Sequence, residues 1–494
     1  MREPRRLLLT GVCAVALLAT IAPACDEDDP SDVGAPGAEP APAPAPSSPE
    51  LAEVDDPYFP GVGDDRYDVR SYDLAAHTTI AGTDRLDATM TLTAVARTDL
   101  DELSLDLDGF DVGEVTIDGV PAAARRGDAT LVLTPAAPIA SGTTFTVVVP
   151  YSGTPGGAVH DPDRRLEEGG GWVDLGASSA VLAQPIGART WIPVNDLPSD
   201  KATVRVAVTV PSPLTAVSNG RLVERNDDPA TGTSTFVWAA AEPMAPYLIT
   251  LALGEYRLLE RAPVGPATVL DAAPPDQVGL ADAAFAPFTE MLTWFSGRFG
   301  PYPFADAGNV VVADLPPTAF ESQTRSIFSD DTLDDDGTEE LVAHELAHQW
   351  FGNAVTPRTW ADLWLNEGPA VHAQWSWTEH AGGASVLESA LESWDPDDPD
   401  LDVPPAAPGV AQLFGTSVYV RSALFLVELQ LLMGDEPFDR LLRTWVEEHR
   451  FGNADTEQFV ELASRIHGSS IEALSEPWLH GDELPELSFD ESDL

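Results

Sequence analysis

The hydrophobic period of this 494-residue chain changes once, near residue 256, and that change sets its architecture. Before it, apolar and polar residues alternate, as in Thr89-Met90-Thr91-Leu92-Thr93-Ala94-Val95, Thr144-Phe145-Thr146-Val147 and Val204-Arg205-Val206-Ala207-Val208-Thr209-Val210. A period of two gives a strand one buried and one wet face. Pro, Gly, Asp and Asn clusters separate the runs from Tyr67 to about Tyr256, so this half is expected to be an antiparallel β sandwich or saddle. After it the spacing turns helical. Asp282 to Phe299 reads as one helix ending at Gly300-Pro301, and Asn309-Val310-Val311-Val312-Ala313 as a short buried strand. Helices are expected around His344, from about Leu365 to His380, and through Tyr419 to Leu432, Pro437 to His449 and Thr456 to Ile466. The fold class is therefore α+β and multidomain, with a β domain at 57–256, a mostly helical domain at 257–487 and an acidic tail at 488–494.

The first residues read as an export signal. Arg2, Arg5 and Arg6 make a basic start, Leu7 to Ala22 is an apolar run, and Ala22-Pro23-Ala24 fits a cleavage site. Cys25 follows at once, so residues 1–24 also resemble a bacterial lipoprotein signal, with Cys25 as the lipidated residue and membrane anchor. The expectation is a cell-surface or periplasmic lipoprotein, with ordinary secretion as the alternative. Cys13 is the only other cysteine and lies inside the signal, so the mature chain holds no disulfide. Residues 25–56 are rich in Pro, Ala and Asp and cannot bury enough apolar surface to fold. Extended, such a linker reaches up to roughly 90 Å.

The formal net charge is −55, and Lys201 is the only lysine. Without a basic patch to neutralise phosphates, nucleic acid is excluded as a partner. So acidic a surface keeps a protein soluble and fits salty surroundings; compositional bias is the other reading.

Chemistry concentrates in His344-Glu345-Leu346-Ala347-His348, an H-E-x-x-H signature. Histidines four apart on a helix lie roughly 5–6 Å apart at Cβ. Both imidazoles can then reach one metal at about 2.0–2.1 Å. Glu345, beside them, is placed to take a proton from the attacking water. Thr338 is expected to cap this helix, with Glu339 and Glu340 in its first turn. A catalytic zinc needs a third protein ligand, and the next carboxylate in a plausible helix is Glu367, in Leu363-Trp364-Leu365-Asn366-Glu367-Gly368.

These segments resemble the M1 zinc aminopeptidases, the gluzincin family of aminopeptidase N and leukotriene A4 hydrolase. The resemblance rests on His344 through Asn353, on Thr359 through Gly368, on Phe299-Gly300-Pro301-Tyr302-Pro303-Phe304, and on Gly187 through Pro193 with Pro198-Ser199-Asp200-Lys201-Ala202. It implies a thermolysin-like catalytic domain and one Zn²⁺ per chain on His344, His348 and Glu367. It also implies peptide substrates cut at their N-terminal residue. Glu321, in Thr318-Ala319-Phe320-Glu321-Ser322, would hold the substrate amine, with Ala319 and Gln184 beside it. Tyr419 would stabilise the oxyanion. Gln374, seven residues after Glu367, would support a zinc-binding histidine. The chain ends soon after Glu476-Pro477-Trp478-Leu479, which resembles the close of the catalytic domain, so a short form without the family's C-terminal helical domain is expected.

Several positions depart from the family pattern. The 318–322 stretch replaces Gly-Ala-Met-Glu-Asn, Gln374 replaces a glutamate, Pro369 an aromatic residue, and Arg421-Ser422 a Lys-Gly pair. They keep two other readings open: an impaired M1-like protein serving as a peptide-binding surface lipoprotein, and a hydrolase of the same fold without a strict N-terminal requirement.

Overall fold

The computed structural model describes residues 56–80, 84–156, 170–333 and 337–493. The expected signal, Cys25 and the linker up to residue 55 lie outside the described residues. No helix among the described residues is long and apolar enough to cross a membrane.

The first half is built on a nine-stranded sheet. From Tyr67–Thr79 it runs through Arg85–Ala96 to Thr144–Gly153 on one side, and through Ala202–Pro211 and Thr233–Met244 to the edge strand Arg221–Asp228 on the other. In Ala202–Pro211 the alternate residues Val204, Val206, Val208 and Val210 are buried, as the period of two requires. One pairing departs from the antiparallel expectation: Tyr67–Thr79 runs parallel to Ala202–Pro211. More than a hundred residues separate the two strands, so the chain can return in the same direction, which a tight hairpin forbids. A four-stranded sheet, ordered Gly171–Asp174, Ser179–Leu182, Leu251–Gly254 and Thr215–Ser218, packs with it toward the second half.

The change of period is where the sheets change hands. Leu251–Gly254 still belongs to the first half, while Arg257–Val264 and Ala267–Ala273 open a new sheet. That sheet continues through Asn309–Val312 and Ser326–Ser329, paired in parallel, to the antiparallel edge strand Ala319–Phe320. The helices follow: α1 Val278–Ala284, α2 Phe288–Phe299, α3 Thr338–Ala347, α4 Trp364–His380, α5 Val386–Ser393, α6 Ser422–Met433, α7 Asp435–His449, α8 Thr456–His467 and α9 Glu472–Leu479.

Three local expectations are corrected. The single helix over Asp282 to Phe299 is two helices, because Pro287 has no amide to donate and disfavours a helical residue before it. Thr338 is not the cap of α3. Gly337 is, and the Thr338 hydroxyl instead donates to the Thr332 carbonyl at 2.7 Å. Tyr419 is not in the α-helix that follows it but in a π-helical turn, Ser417–Arg421.

Lys201 joins the two halves. Its Nζ donates to the carbonyls of Asn353, Ala354 and Gly452 at 2.8, 3.2 and 3.4 Å. Burial pushes its pKa down to about 7, against which three carbonyl acceptors favour the ammonium.

Candidate metal and peptidase site

Helix α3 carries Glu339 and Glu340 in its first turn, where the helix dipole favours them, and buries almost all of its remaining residues. It delivers His344 from its last turn and His348 from its C-cap. The two Nε2 atoms lie 3.1 Å apart. Helix α4 crosses α3 and brings Glu367 Oε2 to 3.5 Å from His344 Nε2 and 3.4 Å from His348 Nε2. All three side chains are buried. Ligand atoms at about 2.0–2.1 Å from a tetrahedral zinc are about 3.3–3.4 Å apart. Two imidazoles and one carboxylate at 3.1–3.5 Å from one another therefore fit that ion by spacing as well as by donor type.

The charges of this group are set by one another. Burial pushes the His348 imidazole down, but Glu367, Glu321 and Glu345 outweigh it and raise its pKa to about 10. Burial also pushes Glu367 up, and the two histidines outweigh that, holding it at about 2. Burial lowers His344. His348 Nδ1 has the Phe351 carbonyl as its partner at 3.1 Å, while His344 Nδ1 is buried without a formed hydrogen bond.

Around the ligands stand the other expected residues. Glu345 is buried with Oε2 unpartnered, and burial together with Glu321 and Glu367 raises its pKa well above the usual carboxylate range. Glu321, just past the edge strand that contains Ala319, is buried and accepts from Gln184 Nε2 at 2.9 Å. Burial first, and then the Glu367 charge, raise it to about 7. Tyr419 stacks over His344 with ring centroids 6.4 Å apart. Gln374 is buried on α4, two turns beyond Glu367.

The departures have structural partners. Pro369 sits in the second turn of α4, where it removes one helical donor without ending the helix. Arg421 is buried and donates to the carbonyls of Leu401, Asp402, Trp478, Pro477 and Gly481 at 2.7–2.9 Å, which fixes the turn that carries Tyr419. Ser422 packs on Gly368 so closely that a Cβ there would lie 2.6 Å from the serine Cβ.

Some residues of the site carry no role in the sequence reading. Asn353 Nδ2 donates to the Glu321 carbonyl at 2.6 Å, and Gln349 Oε1 accepts from the Thr324 amide at 2.8 Å. From the first half, Asn219 Nδ2 reaches the Gln323 carbonyl at 2.8 Å, and the Gly220 amide donates to Thr324 Oγ1 at 2.8 Å. These bonds set the backbone on which Glu321 stands. Gln349 and Asn353 lie inside the zinc segment and were visible as part of it; Asn219 and Gly220 have no sequence signal.

Known proteins resemble this chain in sequence and fold. Residues 69–248 match the peptidase M1 N-terminal domain and residues 284–478 the peptidase family M1 domain. An M1 zinc metallopeptidase from Deinococcus radiodurans, solved with a Tyr-Ser-Ala substrate, superposes with a TM-score of 0.81 at 28% identity, covering 89% of this chain and 100% of that one. A probable aminopeptidase 1 of Saccharolobus solfataricus is 27% identical over 314 residues, 59% of this chain and 40% of the relative. Aminopeptidase B of Rattus norvegicus is 29% identical over 299 residues, 56% and 44% of the two chains. The aligned part thus spans about two fifths of the length of these curated relatives. With both folded halves matched to the two domains of one family, and with a zinc-fitting donor set on α3 and α4 of the second, the chain belongs to peptidase family M1.

Proposed function

We propose that this chain is a zinc aminopeptidase that removes N-terminal residues from peptides. The observation that carries the reading is Glu321: a carboxylate, held by Gln184, in the same buried group as the His344–His348–Glu367 donors. Zinc on those donors supplies a Lewis acid for the scissile carbonyl and acidifies the attacking water. Glu321 pairs with the substrate ammonium, with Gln184 orienting the carboxylate and Ala319 in the adjoining edge strand. This limits how far the peptide enters. Glu345 accepts the proton of the attacking water as its oxygen bonds to the carbonyl carbon. The Tyr419 hydroxyl donates to the oxygen that gains charge. Glu345 then gives the proton to the leaving nitrogen as the C–N bond breaks, releasing a free amino acid and a shortened peptide.

Glu345→Gln keeps the ligands and should lose turnover by roughly 10²–10⁴-fold while retaining zinc. Full activity in that variant sinks the mechanism. Comparing free with N-acetylated peptides tests the amine anchor, and equal cleavage of both would favour a hydrolase without an N-terminal requirement. Zinc-free, inactive but peptide-binding protein would favour the surface-binding reading.

Export and anchoring at Cys25 belong to the same proposal, supported by the basic start, the apolar run and the cysteine that follows Ala24. Cys25→Ser should move the protein from the membrane to the soluble fraction; an unchanged distribution removes the lipid anchor.

A further inference from the structure

The two zinc-binding histidines are supported unequally. The Nδ1 of His348 faces a main-chain carbonyl at hydrogen-bond distance. The Nδ1 of His344 has no such partner, and the side chain in contact with this ring from α4, besides Glu367, is the Gln374 carboxamide. Gln374 Oε1 is itself buried without a formed hydrogen bond. A donor and an acceptor, both buried, both unfilled and neighbours, are an arrangement that closes by a small movement.

A carboxamide alone would be a weak support, since it brings no charge to the imidazole. The structure places a charge behind it. Gln374 Nε2 lies 3.5 Å from Oε2 of Glu340, and Oε1 of the same carboxylate accepts from Thr378 Oγ1 at 3.1 Å. Glu340 is one turn before His344 on α3, and Gln374 and Thr378 are one turn apart on α4, so two helices present the four groups across one seam. Glu340 accepts only, so it decides which end of the Gln374 amide faces it: the nitrogen turns to Glu340 and the oxygen to His344. An anion on the NH₂ side polarises the amide and makes its oxygen a better acceptor.

We propose that Gln374 and Glu340 act together as positioning residues for the metal ligand His344. The carboxamide accepts the Nδ1–H, the carboxylate behind it supplies the charge, and Nε2 is left as the lone-pair donor facing Glu367 and His348. The inference rests on the zinc reading of the site. It explains why a glutamine can stand two turns after Glu367: the carboxylate has moved to the facing helix.

The test is zinc affinity of the purified full chain, read by competition with a chromophoric chelator. Glu340→Gln and Gln374→Leu should each weaken binding by about 10–100-fold, the size typical of groups that support a ligand. Glu339→Gln is the control. It removes the same charge from the same helical turn, but Glu339 is bonded to Trp377 Nε1 at 2.8 Å and not to Gln374. It should leave zinc affinity unchanged. The double variant Glu340→Gln with Gln374→Glu moves the carboxylate back beside His344 and should return affinity to within about threefold of the wild type, since the lost support is restored. Far-ultraviolet dichroism and thermal melting establish that each variant is folded. Wild-type protein that takes up no zinc overturns the zinc reading and the relay with it. Wild type that binds zinc, with Glu340→Gln indistinguishable from Glu339→Gln, overturns the relay alone. So does a double variant that is no better than Glu340→Gln.

Discussion

Both halves of the molecule bury carboxylates, but they partner them differently. In the β half, Asp64, Asp106, Asp196 and Asp200 lie inside the joint between the first strand and the 195–200 loop. Asp106 accepts from the Gly63 and Asp196 amides at 2.9 and 3.0 Å, Asp200 from the Val69 amide at 3.0 Å, and Asp64 from the Ser104 amide at 3.0 Å. None of the four has a buried oxygen left without a hydrogen bond. In the catalytic half, Glu345 Oε2 and His344 Nδ1 are left without one, and Glu367 converges on two imidazoles. Yet burial raises pKa values in both places: Asp106 to about 6, Asp200 to about 7 and Asp196 to about 8, against about 7 for Glu321. A displaced pKa thus does not by itself distinguish structure from chemistry here; buried polar atoms left unfilled beside a convergent set of metal-type donors do.

Matched isosteric changes put the largest strain on this contrast. Glu367→Gln should abolish both zinc uptake and turnover, measured by metal analysis and peptide hydrolysis. Asp196→Asn should leave both near wild type, and a loss of activity there equal to that of Glu367→Gln would break the distinction.

The second effect is a pH dependence of stability. Carboxyls whose folded pKa is raised bind protons in the fold that the unfolded chain has already released. Their contribution is fully present below about pH 4 and is lost as pH rises through the folded values of about 6 to 8. Thermal melting should therefore fall between pH 5 and pH 8, by the equivalent of a few kcal/mol (one pKa unit is about 1.4 kcal/mol). Asp196→Asn should flatten that slope, and an equally steep slope in the variant would remove Asp196 as a cause.

Smaller still is the effect of Lys201, which follows Asp200 and ties the β half to the loop after the zinc helix. Lys201→Met removes three hydrogen bonds between the halves, although each carbonyl keeps another donor, and should cost about 1–3 kcal/mol in urea denaturation. Lys201→Arg should recover part of it. Equal stability of all three proteins would mean that the halves are held elsewhere.

What could be read from the residues in order divides along the distance over which each feature is determined. His344 and His348 are placed by one helical turn, and Glu367 by the next helix with a familiar spacing, so the donor set was legible. Arg85–Ala96 and Ala202–Pro211 announce themselves as strands by alternation, but the parallel pairing of Tyr67–Thr79 with Ala202–Pro211 depends on registers more than a hundred residues apart. The break at Pro287 was there to be read and was masked by apolar spacing on both sides. Glu340 looked like a first-turn acid serving the helix dipole; its contact with Gln374 exists only because α3 and α4 cross. The donors from Asn219 and Gly220 to the 321–325 backbone are likewise products of the two halves meeting.

The π-helical turn at Ser417–Arg421 amounts to a helix with one residue more than α geometry needs. Each residue of an α-helix advances about 100° around the axis. The direction in which the Tyr419 hydroxyl points is therefore set by a count of residues as well as by their kinds. Removing Val420 from this turn would spare every side chain named in the site and still swing the tyrosine about a quarter of a circle relative to α6. Single-residue insertions and deletions, which loops absorb without harm, are at this place the shortest route to a folded protein with a misdirected hydroxyl.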